Sequence, residues 1–116
     1  ACALMGMFGK SVTITDGNWT LHQSPVDNNE PLYWHGYDLA RFIGYELGPF
    51  ENGRRPVSNC SSWDAPTSLH DKRSDPNELV NLAERERDML GSMQDRLRAE
   101  LVRLHAPAWQ LERLGL

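Results

Sequence analysis

The side chains best suited to chemistry are four histidines, two cysteines, an acidic run and an adjacent pair of arginines. His22, His35, His70 and His105 offer acid–base groups or metal ligands, but no two stand three or four residues apart. A metal-holding pair can therefore form only through tertiary contact. The plain expectation is four separate surface or capping residues, with His105 favoured as a cation at a helix C-terminus. Cys60, in Asn59-Cys60-Ser61-Ser62-Trp63, lacks the glycine turn and neighbouring histidine of an activated nucleophile and reads as a structural thiol. Asp71, Asp75 and Glu78, close to Lys72 and Arg73, supply hard-cation oxygens without the 1-3-5 spacing and glycine of a calcium loop. They read as a solvated turn feeding a helix. The chain has no Gly-x-Ser-x-Gly elbow, no Gly-x-Gly-x-x-Gly and no phosphate-binding loop. On residue chemistry alone, this is a poor enzyme.

The composition sets the frame for those residues. A chain of 116 residues forms one small domain, and 40% apolar with 24% charged residues is ordinary for a globular protein. A net charge of −4 argues against a nucleic-acid partner, which calls for a basic face. No apolar run approaches the roughly eighteen residues that a membrane helix requires. Cys2 and Cys60 cannot make a disulfide framework. The opening Ala-Cys-Ala-Leu-Met-Gly-Met-Phe-Gly is too short and glycine-broken for a signal peptide, and reads as the interior of a longer chain.

Three stretches differ in texture. From 10 to 35 the pattern is a strand meander. Val12 and Ile14 alternate with Ser11, Thr13 and Thr15, and Trp19, Leu21 and Gln23 alternate with Asn18, Thr20 and His22. Asp16-Gly17 between the two runs predicts a hairpin, and Leu32–His35 predicts a third strand. From 36 to 68 glycines and prolines break any period, yet seven of the ten aromatic residues lie between Tyr33 and Trp63. Such aromatic density opposes disorder and predicts an irregular loop that packs on something.

From 69 to 116 the reading is an edge strand, a turn and a terminal helix. Asn81 with Glu84 makes an approximate capping box, and Pro107 stops the helix near His105. Met89, Leu90, Met93, Leu97, Leu101 and Leu104 form one stripe, with Glu100 placed to pair with Arg96. Ala108 to Leu114 forms a short closing turn. The expected fold is α+β: a small antiparallel sheet of three to four strands packed against one long C-terminal helix.

Several of these segments resemble the sulfatase family. Gly6-Met7-Phe8-Gly9-Lys10-Ser11-Val12-Thr13-Ile14-Thr15-Asp16-Gly17-Asn18-Trp19-Thr20 is similar to the family's phenylalanine-glycine, strand and "TDG" run, and Pro31-Leu32-Tyr33 to its next strand. Leu69-His70-Asp71, followed by Asp75-Pro76-Asn77-Glu78-Leu79-Val80-Asn81-Leu82-Ala83, resembles the "LYD…DP.E..NLA" signature before the terminal helix. Ala106 to Leu116 resembles the way many bacterial members end. The likeness covers most of the chain outside 36–66.

The resemblance implies a C-terminal subdomain, leaning on a large α/β catalytic domain of the alkaline-phosphatase superfamily. The family hydrolyses sulfate esters with a formylglycine beside calcium. That formylglycine arises in a Cys/Ser-x-Pro/Ala-x-Arg motif, which Cys60 fails because Ser62 and Asp64 stand at the proline and arginine positions. No catalytic or metal-binding residue carries over, so this segment alone is expected to be inactive and to hold no cofactor. Its expected partners are the N-terminal catalytic domain and, without it, a second copy of itself. The candidates for a substrate rim are Trp34, His35, Tyr37, Arg54 and Arg55, the arginines as forked donors to a sulfate or carboxylate. The alternatives are a parent acting on phosphonate or phosphate esters, and a free-standing interaction module.

Overall fold

The computed structural model describes residues 1–6, 9–35, 41–42, 45–46, 54–56 and 66–116. Its centre is a four-stranded antiparallel sheet made of β1 (Ala3–Gly6), β2 (Val12–Thr15), β3 (Trp19–Gln23) and β8 (Ser68–Asp71), in the order β1-β2-β3-β8. A long helix, α1 (Arg87–Arg103), follows, and then a short one, α2 (Ala108–Arg113). The chain is α+β, as its patterning predicts.

The hairpin forms where the alternation places it, one residue later at its tip. Asp16 N–H bonds Trp19 O, so the central residues are Gly17 and Asn18, and Gly17 takes a φ of 90°. Glycine at the first central position with positive φ suits the right-handed twist of a two-stranded ribbon. Asp16 fixes the turn further by accepting the backbone N–H of Asn18 and of Trp19 at 2.9 and 2.8 Å, and Arg96 of α1 at 2.6 Å.

Period-2 alternation sorts the sheet into two faces. Ile14, Leu21 and Leu69 are register partners on one face, with Val12 beside them, and all four are buried. Met93, Leu97 and Leu101 of α1 complete that core, with Leu114. Thr13, His22 and Ser68 occupy a row on the opposite face, with Thr15, Thr20 and His70 in the next row. Gln23, on the apolar side, stays satisfied by donating to Leu114 O and accepting from Gln94.

Four local expectations are corrected. Tyr33–His35 is a strand, β4, but it leaves the meander and pairs with β7 (Arg54–Pro56). The reason is that β8 already occupies the second edge of β3, and the fourth strand of the sheet comes from Ala3–Gly6 instead. A separate two-stranded ladder joins β5 (Arg41–Phe42) to β6 (Tyr45–Glu46). The long helix begins at Arg87 rather than Asn81, because the Asn81 amide serves the sheet: its Oδ1 accepts from Leu69 N–H and Ala83 N–H, and its Nδ2 donates to Thr67 O.

The face and end of α1 also differ from the expectation. Glu100 pairs with Arg103, not Arg96, which is taken by Asp16. Leu104 lies beyond the apolar stripe, 53% exposed, because the helix ends there. His105 follows with φ 58°, and the bonds His105 N–H to Val102 O and Ala106 N–H to Leu101 O close the end as a Schellman motif. The expected closing turn beyond Pro107 is the helix α2.

Asp16 makes the stability of this arrangement dependent on acid. The Trp19 N–H holds its carboxyl below the usual 3.8, against a partial burial penalty, with Asn18 N–H and Arg96 adding to the effect. A depressed folded pKa gives a contribution that is complete above the unfolded value and lost as pH falls through the folded one. Wild type should therefore lose stability below about pH 4, and Asp16→Ala should lose about 1–2 kcal/mol at neutral pH. Urea melts of both proteins at pH 7 and pH 3 check this, since the difference between them should shrink at the lower pH.

Candidate functional site

The polar face of the sheet brings together groups that the sequence separates by 56 residues. His22 stands on β3 and His70 on β8, two residues out of register on the same face, and their rings meet edge to face at 5.7 Å. Glu78 reaches them from the loop after β8 and places Oε2 2.7 Å from His22 Nε2. One ligand atom from each of the three lies within 4.8 Å of the others. The expectation of four separate histidines fails for His22 and His70. His105 lies at the end of α1, outside this cluster.

The loop that delivers Glu78 is built by Asp75. Its two carboxylate oxygens accept the N–H groups of Leu79 and Val80, each at 2.9 Å, and Glu78 N–H bonds Asp75 O. Glu78 then takes a φ of 56°, a left-handed conformation that non-glycine residues adopt only when neighbouring bonds hold it. The Leu79 and Val80 N–H groups keep the Asp75 carboxyl below its ordinary range, with His70 adding to this. Partial burial pushes Glu78 up, but the His22 and Lys72 bonds outweigh it and the net shift is down. Both side chains are therefore carboxylates at neutral pH.

Each member of the cluster has an outer partner. His22 Nδ1 lies 2.7 Å from Thr13 Oγ1, on the neighbouring strand β2. His70 Nδ1 donates to Val80 O at 2.7 Å, and Asp75 Oδ2 stands 3.7 Å from the same nitrogen. Lys72 Nζ holds Glu78 Oε1 at 3.2 Å while also donating to Pro76 O. The acidic run is thus not a loosely solvated turn. Asp71 is bound by Arg73, whose guanidinium also lies over the Trp19 ring at 5.6 Å, and Asp75 and Glu78 have the partners just named.

The Asp71, Asp75 and Glu78 carboxylates do not assemble an oxygen cage of the kind calcium requires. They are committed instead to an arginine, a lysine, a histidine and backbone N–H groups. Cys60 fails the formylglycine motif and lies outside the described residues, whereas Cys2 is an exposed free thiol.

The rim candidates lie on another ladder. Trp34 pairs with Arg55 and His35 with Arg54 across β4 and β7, so the backbone sets these four residues side by side. Tyr37 lies outside the described residues. The ladder meets the helical side of the molecule through Tyr33, whose ring contacts Trp109 of α2 edge to face at 5.1 Å.

A signal for the histidine cluster was present in the sequence. The dipeptide Leu-His occurs in both strand-like runs, at 21–22 and at 69–70. If the two runs pair with both leucines inward, both histidines must share the other face. Compared with family models, with curated proteins and with solved structures, the chain finds no significant match in any of the three.

Proposed function

We propose that the chain is the non-catalytic C-terminal subdomain of a sulfuric ester hydrolase, a sulfatase of the alkaline-phosphatase superfamily, and that it completes that enzyme's fold and rims its substrate cleft. The observation that carries this reading is how the "LHD…DPNELVNLA" segment is used. Asp71 is tied to Arg73, Asp75 caps its own loop, Glu78 clasps β3 through His22, and Asn81 closes the outer edge of β8. Asp71, Asp75, Glu78 and Asn81 are thus engaged in holding strands and the loop after β8 together, which is the work of a structural unit. Formylglycine and calcium belong to the catalytic domain in this reading.

The partner that fits is that catalytic domain. Leu79, Val80, Val102 and Leu104 are large apolar side chains at least half exposed, and apolar surface of this kind suits a docking contact. Without the partner, the chain should self-associate at high concentration. A clean monomer by light scattering would count against the interface.

Activity measurements test the reading directly. The 116-residue chain should hydrolyse neither aryl sulfates nor aryl phosphates, whereas the intact parent polypeptide should turn over the sulfate ester. Preference of the parent for a phosphate or phosphonate ester would move the assignment to a sister activity of the superfamily. A gene that encodes only this chain would leave a free-standing interaction module. Within the intact enzyme, Arg54→Ala and Arg55→Ala should raise KM by about tenfold with kcat little changed, the mark of lost uniform binding.

A further inference from the structure

We propose that His22, His70 and Glu78 form a binding site for a first-row divalent metal ion, and that zinc suits the donor set best. This site is independent of the sulfatase reading and of the calcium that such an enzyme uses. Two imidazoles and one carboxylate are a borderline donor set. They suit zinc and its neighbours, whereas calcium and magnesium require oxygen ligands throughout.

The geometry is close to what the ion needs. Tetrahedral zinc with bonds of about 2.0–2.2 Å places its ligand atoms roughly 3.3 Å apart. One donor atom of each residue here already lies within 4.8 Å of the others, not far outside the spacing a bound ion requires. The supports are rigid, because two donors sit on paired strands and the third on a loop fixed by Asp75. Three protein ligands leave a fourth position for water or for a partner's side chain.

The outer partners match those of a metal centre, where each ligand is oriented by a hydrogen bond from behind. His70 Nδ1–H donates to Val80 O, which leaves the lone pair of the neutral ring on Nε2. His22 now engages Glu78 through Nε2 and Thr13 through Nδ1. When Nε2 takes the metal, the neutral ring changes tautomer: the Nε2 proton passes to solvent, Nδ1 takes one up from solvent, and the hydroxyl of Thr13 then accepts from Nδ1–H. A hydroxyl donates or accepts equally well, so the same contact serves both states. Lys72 occupies Glu78 Oε1 and leaves Oε2 for the ion. Asp75, 3.7 Å from His70, offsets the lysine charge.

Metal titrations of the full chain after treatment with a chelator provide the test. Zn2+ is titrated in competition with a chromophoric chelator, and Co2+ is titrated alone, where its visible absorption reports a four-coordinate nitrogen–oxygen site. The unaltered chain should bind one equivalent of each ion, and excess Ca2+ should not displace it. His22→Gln, His70→Gln and Glu78→Gln should each weaken Zn2+ by more than about tenfold. Thr13→Val should weaken it by roughly 10–100-fold while leaving the ligands in place, and His105→Gln should change nothing. Absence of micromolar Zn2+ binding by the unaltered chain overturns the proposal. So does binding that survives all three ligand substitutions, or that His105→Gln removes. Because the first titrations use the unaltered protein, a variant that fails to fold does not decide the result.

Discussion

Replacing Arg113 by alanine should destabilise the protein by about 3–5 kcal/mol, enough to remove much of the stability of a small domain. Arg113 is the largest fully buried side chain among the described residues, at 1% exposure, and its guanidinium spans parts of the chain far apart in sequence. Nη1 donates to Asn29 Oδ1 at 2.9 Å, Nη2 to Lys10 O at 3.2 Å, and Nε to Gln110 Oε1 at 3.1 Å. Asn29 is itself buried and passes the network on to Gly9 O. Truncation takes a donor from the buried Asn29 Oδ1, at about 1–3 kcal/mol, removes the part-buried bonds to Lys10 O and Gln110 Oε1, and opens a cavity. Arg113→Lys should recover only part of the loss, because an ammonium cannot reproduce the planar fork. Urea unfolding of the three proteins, with m-values compared, gives the answer.

Leu97→Ala should lose about 2–5 kcal/mol, whereas Leu104→Ala, seven residues on, should change stability by no more than about 0.5 kcal/mol. The two leucines belong to one periodic stripe in the sequence. Leu97 has no exposed surface and packs in the core with Ile14, Leu21 and Leu69, while Leu104 is the half-exposed cap of α1. Equal effects at the two positions would mean that the last turn of α1 is buried against something beyond this chain. Thermal melts of the pair distinguish the outcomes.

The contrast shows what the sequence can and cannot encode locally. Alternation in Val12–Thr15 and Trp19–Gln23, with a glycine between, defines a hairpin through short-range sterics, so that hairpin was legible. The stripe through Met93, Leu97 and Leu101 was legible for the same reason. Helix onset was not. Asn81 has the chemistry of a cap, but its amide is drawn to Leu69 by an unpaired strand edge, and only the tertiary arrangement creates that demand. The place of Tyr33–His35 was hidden likewise, because competition from β8 for the edge of β3 is a long-range matter.

The site shows the same division. Patterning could place His22 and His70 on strands, but their meeting depends on which strands pair and in which register. Glu78 was harder still. Its left-handed backbone follows from Asp75 accepting the two N–H groups of Leu79 and Val80, a local knot that no hydrophobic period announces. The rim candidates were read from aromatic and arginine density, and the β4–β7 ladder sets four of them in adjacent register.

The strict division of the sheet into a leucine side and an imidazole side also guards against misassembly. If β8 docked one residue out of step with β3, Leu69 would turn outward to water and His70 would be driven under the helix. Forfeiting the burial of that one leucine costs about 1.5–3 kcal/mol, before the penalty of an imidazole stranded among methyl groups is added. The neighbouring offsets are thus steep uphill steps, and the strand carries its own proofreading in a two-letter contrast between adjacent residues.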